Sequence, residues 1–196
     1  RRSQQDLMEG ILNGSDVLGI MPTGAGKSLC YQVPALMLPG ITIVISPLIS
    51  LMSDQVKALN QAGVHAAYIN SSLTENQIRA ALLYAAQGQY KIIYVAPERL
   101  NTMRFLDFAC RADISMVTVD EAHCISQWGQ DFRPSYLEIA DFLARLPRRP
   151  VVSAFTATAT ERVKQDITGS LHLQNPVTVV TARKPFLYPR QMWPAI

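Results

Sequence analysis

Two short runs, far apart in the chain, hold the residues best suited to chemistry. The first, Gly24-Ala25-Gly26-Lys27-Ser28, packs two glycines, a lysine and a hydroxyl into five positions. Glycines at such spacing let the backbone wrap its N–H groups around a phosphate, with the positive end of a following helix behind them. Lys27 then supplies a mobile cation for the outer phosphates, and the Ser28 hydroxyl is a ligand for Mg2+. Met21, Pro22 and Thr23 lead into the loop and complete the candidate cradle. The generic pattern asks for glycine where Met21 stands, so the match is one residue short, and a helix N-terminus without a ligand is the plainer reading of the loop alone.

The second run is Asp120-Glu121-Ala122-His123, preceded by the apolar stretch Met116-Val117-Thr118-Val119. Two adjacent acids at the end of so apolar a strand need a metal or a polar cleft. The expected division of labour has Asp120 in the Mg2+ shell and Glu121 orienting and deprotonating an attacking water. Asp-Glu by itself is often a solvated turn; with a phosphate loop upstream, the pair points to hydrolysis of a nucleoside triphosphate, ATP in the reading adopted below.

Such groups must be brought together by the elements between them. Strands are expected at Val17–Met21, Ile41–Ser46, Ala66–Ile69, Ile92–Ala96, Met116–Asp120, Val151–Thr156 and Val177–Val180. Helical patterns fall at Lys27–Leu38, Leu51–Ala62, Thr74–Gln87, Tyr136–Leu146 and Thr160–Leu171, with Pro34 expected to kink or disturb the first. Short β-branched runs alternating with longer helical ones mean βαβ units: an α/β fold with a mostly parallel sheet and helices on both faces. Ligands in such sheets sit at the C-terminal strand ends. Met21, Ser46-Pro47, Ala96-Pro97, Asp120 and Thr156-Ala157-Thr158 all fall there, which predicts one continuous functional edge.

The 196 residues are 48% hydrophobic and 17% charged, enough for one large domain with a real core. No apolar run approaches the roughly 18–20 residues of a membrane helix, so no membrane role is expected. Cys30, Cys110 and Cys124 are an odd number without C-x-x-C spacing, which speaks for packing residues in a reducing, intracellular compartment. The net charge of +3 is uneven: residues 1–144 hold 10 Lys/Arg against 13 Asp/Glu, and residues 145–196 hold 8 against 2. That basic end faces phosphates or simply solvent; charge does not choose.

At this point seven segments, in order, resemble the first motor domain of superfamily 2 helicases, and among them the RecQ family of DNA helicases. Gln4 lies 20 residues before Gly24, the place of an adenine-reading glutamine. Met21 through Gln32 resembles motif I, where methionine at that first position is normal. Ser46-Pro47-Leu48-Ile49-Ser50-Leu51-Met52-Ser53-Asp54-Gln55 resembles motif Ia, and Tyr94-Val95-Ala96-Pro97-Glu98-Arg99-Leu100 motif Ib. Asp120 to His123 is motif II, and Thr156-Ala157-Thr158 resembles motif III. The tract Cys124 to Pro134 is similar to the aromatic-rich loop that sets RecQ proteins apart, with Gln130 where histidine is usual.

The resemblance implies a RecA-like P-loop domain over residues 1–180, using ATP and Mg2+ to move 3′ to 5′ on single-stranded DNA and open duplex junctions. It makes Ser46, Pro47 and Arg99 candidate DNA contacts. It gives His123, listed with the catalytic Lys27, Asp120 and Glu121, a bridging role toward the motif III or aromatic loops; a hydrogen-bonded structural histidine is the alternative. Trp128 and Phe132 offer flat faces for unpaired bases, worth ~1–3 kcal/mol per base, and Arg133 a partner for phosphate. If they are core residues instead, the loop senses nothing. An RNA helicase motor and a catalytically silent nucleic-acid-binding module are the rival readings. A bacterial nucleoid or a nucleus is the expected location.

Residues 181–196 depart from the family pattern and read as a non-native or disordered tail, in the manner of a shifted reading frame. A second RecA-like domain, which supplies an arginine finger in the family, is absent from the chain. The piece alone is therefore expected to bind Mg-ATP weakly, hydrolyse it barely and unwind nothing.

Overall fold

The computed structural model describes residues 2–181. Its strands are β1 (Val17–Ile20), β2 (Ile41–Ile45), β3 (Ala66–Ile69), β4 (Ile92–Val95), β5 (Ile114–Val119), β6 (Val151–Thr156) and β7 (Val177–Val180). All pairings are parallel and the order across the sheet is β3-β4-β2-β5-β6-β1-β7. The inner strands are buried on both sides, which is why they read as largely apolar runs, with an occasional buried hydroxyl, rather than as alternating ones. The expected seven strands are all present, β5 beginning two residues early.

Helices α1 (Arg2–Leu12), α2 (Lys27–Met37) and α3 (Ile49–Gln61) cover one face. Leu7, Ile11, Tyr31, Ala35, Met52 and Val56 pack there on Val17, Val44, Tyr94, Met116 and Phe155. Helices α4 (Glu75–Ala86), α5 (Met103–Arg111), α6 (Glu138–Arg145) and α7 (Glu161–Ser170) cover the other. Ile78, Leu82, Phe105, Phe142, Val163 and Ile167 meet Ile43, Ile45, Val95, Val117 and Val152 on that side. Alternate residues of each strand thus serve opposite layers, as the period of two requires.

Two helices, α1 and α5, were not expected from the sequence. Each is short and buries only a narrow stripe, Leu7 and Ile11 in one, Phe105, Phe108 and Ala109 in the other. Both carry an amphipathic pattern, with their buried apolar residues three or four positions apart, so the signal was present in the sequence and the reading passed over it. Pro34 lies inside α2 without ending it; the helix runs on to Met37. Single 3-10 turns span Pro97–Arg99, Ala122–Ile125 and Pro134–Leu137, the last occupying the start of the helix expected from Tyr136. Helix α4 opens on a capping box: the Gln77 amide donates to Thr74 Oγ1 at 3.3 Å, and the Thr74 amide to Gln77 Oε1 at 2.8 Å.

One buried ion pair ties β1 to its neighbours at the N-terminal edge. Asp16, 3% exposed, takes Arg149 Nη1 at 3.1 Å and Nη2 at 2.6 Å in fork geometry. The same carboxylate accepts the amides of Val152 at 2.9 Å and Gln174 at 2.7 Å. Farther along, Thr118 and Ser153 share a buried hydroxyl contact of 2.8 Å between β5 and β6. These polar locks set the relative register of the three strands that carry the site.

Candidate nucleotide and nucleic-acid site

Strand order brings the two chemical runs together. β6 lies between β1 and β5, so Thr156 stands between the phosphate loop after β1 and the acids after β5. The Met21 amide donates to the Thr156 carbonyl at 2.9 Å, and the Asp120 amide to the Ile45 carbonyl at 2.9 Å. The loop that follows needs its glycines. Gly26, the N-cap of α2, sits at φ 81°, a left-handed conformation that disfavours a side chain. A Cβ there would also lie 2.6 Å from Gln4 Nε2. Gln4 itself donates to the Ala25 carbonyl at 3.0 Å, pinning α1 to the loop. Lys27 reaches back to the Met21 carbonyl at 3.3 Å.

Asp120 is 5% exposed, and its carboxyl is pushed up to about 6. Burial is the main cause and the neighbouring Glu121 charge the second; the Glu121 amide, at 3.0 Å from Oδ1, with Lys27 and His123, works the other way. The Tyr136 hydroxyl donates to the Asp120 carbonyl at 2.9 Å and fixes the backbone at the turn. Glu121 adopts φ 48°, ψ 44°, a left-handed conformation costly for a residue with a Cβ, and such strain gathers at functional sites. Its carboxyl is held below the usual range, first by His123 and then by the Lys27 charge, against the effect of burial.

His123 Nδ1 lies 3.3 Å from Glu121 Oε2 and 2.9 Å from Thr156 Oγ1, whose hydroxyl also contacts the Thr158 carbonyl at 3.1 Å. The imidazole is pushed up to about 9 by the Cys124 sulfur at 3.9 Å and by the Glu121 carboxylate. A thiol at that distance is a poor acceptor, so the carboxylate is the stronger of the two influences. One chain of contacts therefore runs from Glu121 through His123 to the turn after β6.

The aromatic tract leaves this turn as a loop seated on α7. Ser126 Oγ donates to Asp166 Oδ2 at 2.5 Å and accepts the Trp128 amide at 3.1 Å. Gly129 is required by close approach: a Cβ there would lie 2.2 Å from the His123 carbonyl oxygen. Trp128 is 63% exposed, not a core residue, and the Arg162 guanidinium lies 4.1 Å from its ring centroid. Phe132 is half-buried. Arg133 pairs with Asp131 at 2.8 Å and donates to the Pro47 carbonyl at 3.2 Å, tying the loop to the turn after β2.

Comparison with known proteins is decisive at this point. The model of the family described as DEAD/DEAH box helicase matches residues 1–167. The chain belongs to the DEAD/DEAH box helicase family. Within it, similarity is to RecQ-type proteins: the chain is 54% identical over 162 residues to the ATP-dependent DNA helicase RecQ of Bacillus subtilis, covering 83% of this chain and 27% of that one. It is 46% identical over 175 residues to RecQ of Haemophilus influenzae, covering 89% and 28%. The helicase domain thus spans about a quarter of the length of these curated relatives. Among solved structures, the Pyrococcus furiosus Hef helicase domain superposes with a TM-score of 0.69 at 18% identity, covering 90% of this chain and 37% of that one. A hypothetical ATP-dependent RNA helicase from Sulfolobus tokodaii gives 0.69 at 19%, covering 90% and 52%. Those two show the RecA-like fold alone.

Several expected site residues sit differently from the reading of the helicase domain's sequence. The Met21 side chain is 2% exposed and packs in the core, so only its backbone faces the loop. Ser46 is fully buried, which closes its hydroxyl to a strand on the surface. Arg99 turns toward Glu75 at 3.9 Å. Pro22 and Thr23, with Ala157 and Thr158, line a cleft of about 310 Å3 beside Ile20. The larger cavity, about 970 Å3, opens at the opposite sheet edge around Leu82, Tyr90 and Phe108 and contains none of the motif residues. Tyr136, Asp166 and Arg162 were read only as parts of expected helices, and their roles were missed: each acts across a tertiary contact. No helix among the described residues is long and apolar enough to cross a membrane. Of the expected tail, 181–196, only Thr181 is described, its amide donating to the Ile20 carbonyl at 2.9 Å; residues 182–196 lie outside the described residues.

Proposed function

We propose that this chain is the first motor domain of a RecQ-type, ATP-dependent DNA helicase, and that the whole protein couples hydrolysis to 3′ to 5′ movement on single-stranded DNA and to duplex opening. The observation that carries the reading is the unbroken path from Glu121 through His123 to Thr156, placed between a phosphate loop and an exposed tryptophan loop. Hydrolysis and strand occupancy then act on the same turn.

In this reading the amides around Gly24 to Gly26 and the N-terminus of α2 hold the phosphates, with Lys27 on the outermost. Gln4 reads the adenine while staying against the loop. Glu121 orients the attacking water and accepts its proton, its carboxylate kept ionised by His123. Ser28 and Asp120 fit Mg2+: both offer hard oxygen donors, and Asp120 is a buried carboxyl short of positive charge. When bound, the ion neutralises charge on the phosphate oxygens. Trp128 and Phe132 take unpaired bases, while Pro47 and Arg133 line the path of the strand.

A Mg-ATP titration of this chain and of Lys27→Ala is the first test. Micromolar to millimolar binding that disappears in the variant supports the phosphate site; equal binding by both refutes it. Comparing stimulation of ATP hydrolysis by single-stranded DNA and by RNA in the protein with its second motor domain then decides the nucleic acid. Stronger stimulation by RNA would favour an RNA helicase motor, and none by either a silent binding module.

A further inference from the structure

The Trp128 ring has two faces with different surroundings. One carries the Arg162 guanidinium, 4.1 Å from the centroid, and at 63% exposure much of the rest of the ring is open to solvent. Arg162 makes no ion pair among the described residues, and its neighbour Glu161 is engaged by Lys164 at 2.9 Å. Four residues along the same helix face, Asp166 accepts the Ser126 hydroxyl, which in turn holds the Trp128 amide. Backbone and side chain of Trp128 are thus both seated on α7.

Resting on the reading that Trp128 receives an unpaired base, the structure assigns Arg162 as the positioning residue of that platform. It holds the indole from the α7 side by a cation–π contact and leaves the opposite face set for stacking. It contributes through the ring and does not bind the phosphate backbone. Because α7 begins just after Thr156-Ala157-Thr158, the platform is keyed to the helix that follows the His123 contact.

The test is binding of a fluorescently labelled oligo-dT over a range of salt concentrations, with Trp128→Ala, Arg162→Ala, Arg162→Lys and the Trp128→Ala/Arg162→Ala double variant. Both side chains lie on the surface, so the variants keep the core intact. Arg162→Ala is expected to weaken binding about two- to fivefold, the loss of one exposed cation–π contact. Lysine restores part of the loss, the slope of log K against log salt is unchanged, and Arg162→Ala adds nothing once Trp128 is gone. A slope reduced by about one marks a phosphate contact and overturns the assignment. So does an equal loss in both backgrounds, or no loss at all. Wild-type binding by Trp128→Ala would instead defeat the strand-binding reading of the loop itself. A readout without DNA stands beside these: in a Trp193→Phe background, time-resolved emission anisotropy should show faster local rotation of Trp128 in Arg162→Ala, and unchanged rotation overturns the proposal.

Discussion

Replacing Asp16 with asparagine should destabilise this domain strongly. The carboxylate is 3% exposed and accepts four hydrogen bonds, two from Arg149 and two from the amides of Val152 and Gln174. Asparagine keeps one acceptor oxygen; its NH2 group must then face donors, whichever way it is turned. Two bonds are lost, one from Arg149 and one from a backbone amide, and Arg149 loses its counter-charge. Breaking a buried pair costs about 3–5 kcal/mol, and the 35% exposure of the Arg149 side chain argues for the lower end, about 3 kcal/mol. For a domain of this size that lowers Tm by about 6–12 °C. Urea denaturation followed by circular dichroism measures it, with Arg149→Met and the double variant closing a cycle. A coupling energy below about 1 kcal/mol between the two positions would refute the idea that this pair fastens β1 to β6 and β7.

Two further outcomes follow from the site. In EDTA, the His123 imidazole should titrate near 9 by NMR, identified among the three histidines by its loss in His123→Asn, and Glu121→Gln should bring it down toward ordinary values. Its folded pKa lies above the unfolded 6.5, so its contribution to stability is complete below about 6.5 and is lost as pH rises through about 9; metal-free stability that grew with pH over that window would contradict the pairing. Gly129→Ala should destabilise by about 1–3 kcal/mol, because the new Cβ meets a backbone oxygen at 2.2 Å, and a variant that melts like the parent would show that the loop does not make this close approach.

Much of this molecule is written in short stretches. Runs such as Ile41–Ile45 and Ile92–Val95 are mostly apolar and do not alternate because both sheet faces are covered, and that makes a parallel α/β sheet legible without coordinates. Phosphate loop and acid pair are equally local, since their chemistry needs adjacent residues of fixed type. Helices α1 and α5 were legible too, through apolar residues spaced three or four apart, but they were passed over because each run is short and its buried stripe narrow.

What the sequence alone determined is the kind of parts: which glycine-rich run opens a helix after the first strand, which acids follow a buried strand, and which loop carries aromatics. Only the tertiary structure decided how these parts touch. It put β6 between β1 and β5, joined His123 to Thr156, closed Ser46 off from the surface, and set Arg162 on Trp128. The reason is physical: loop chemistry is fixed by neighbours in the chain, whereas these contacts join residues 33 to 34 positions apart, or depend on burial beneath other elements. Their energies exist only once the sheet has formed.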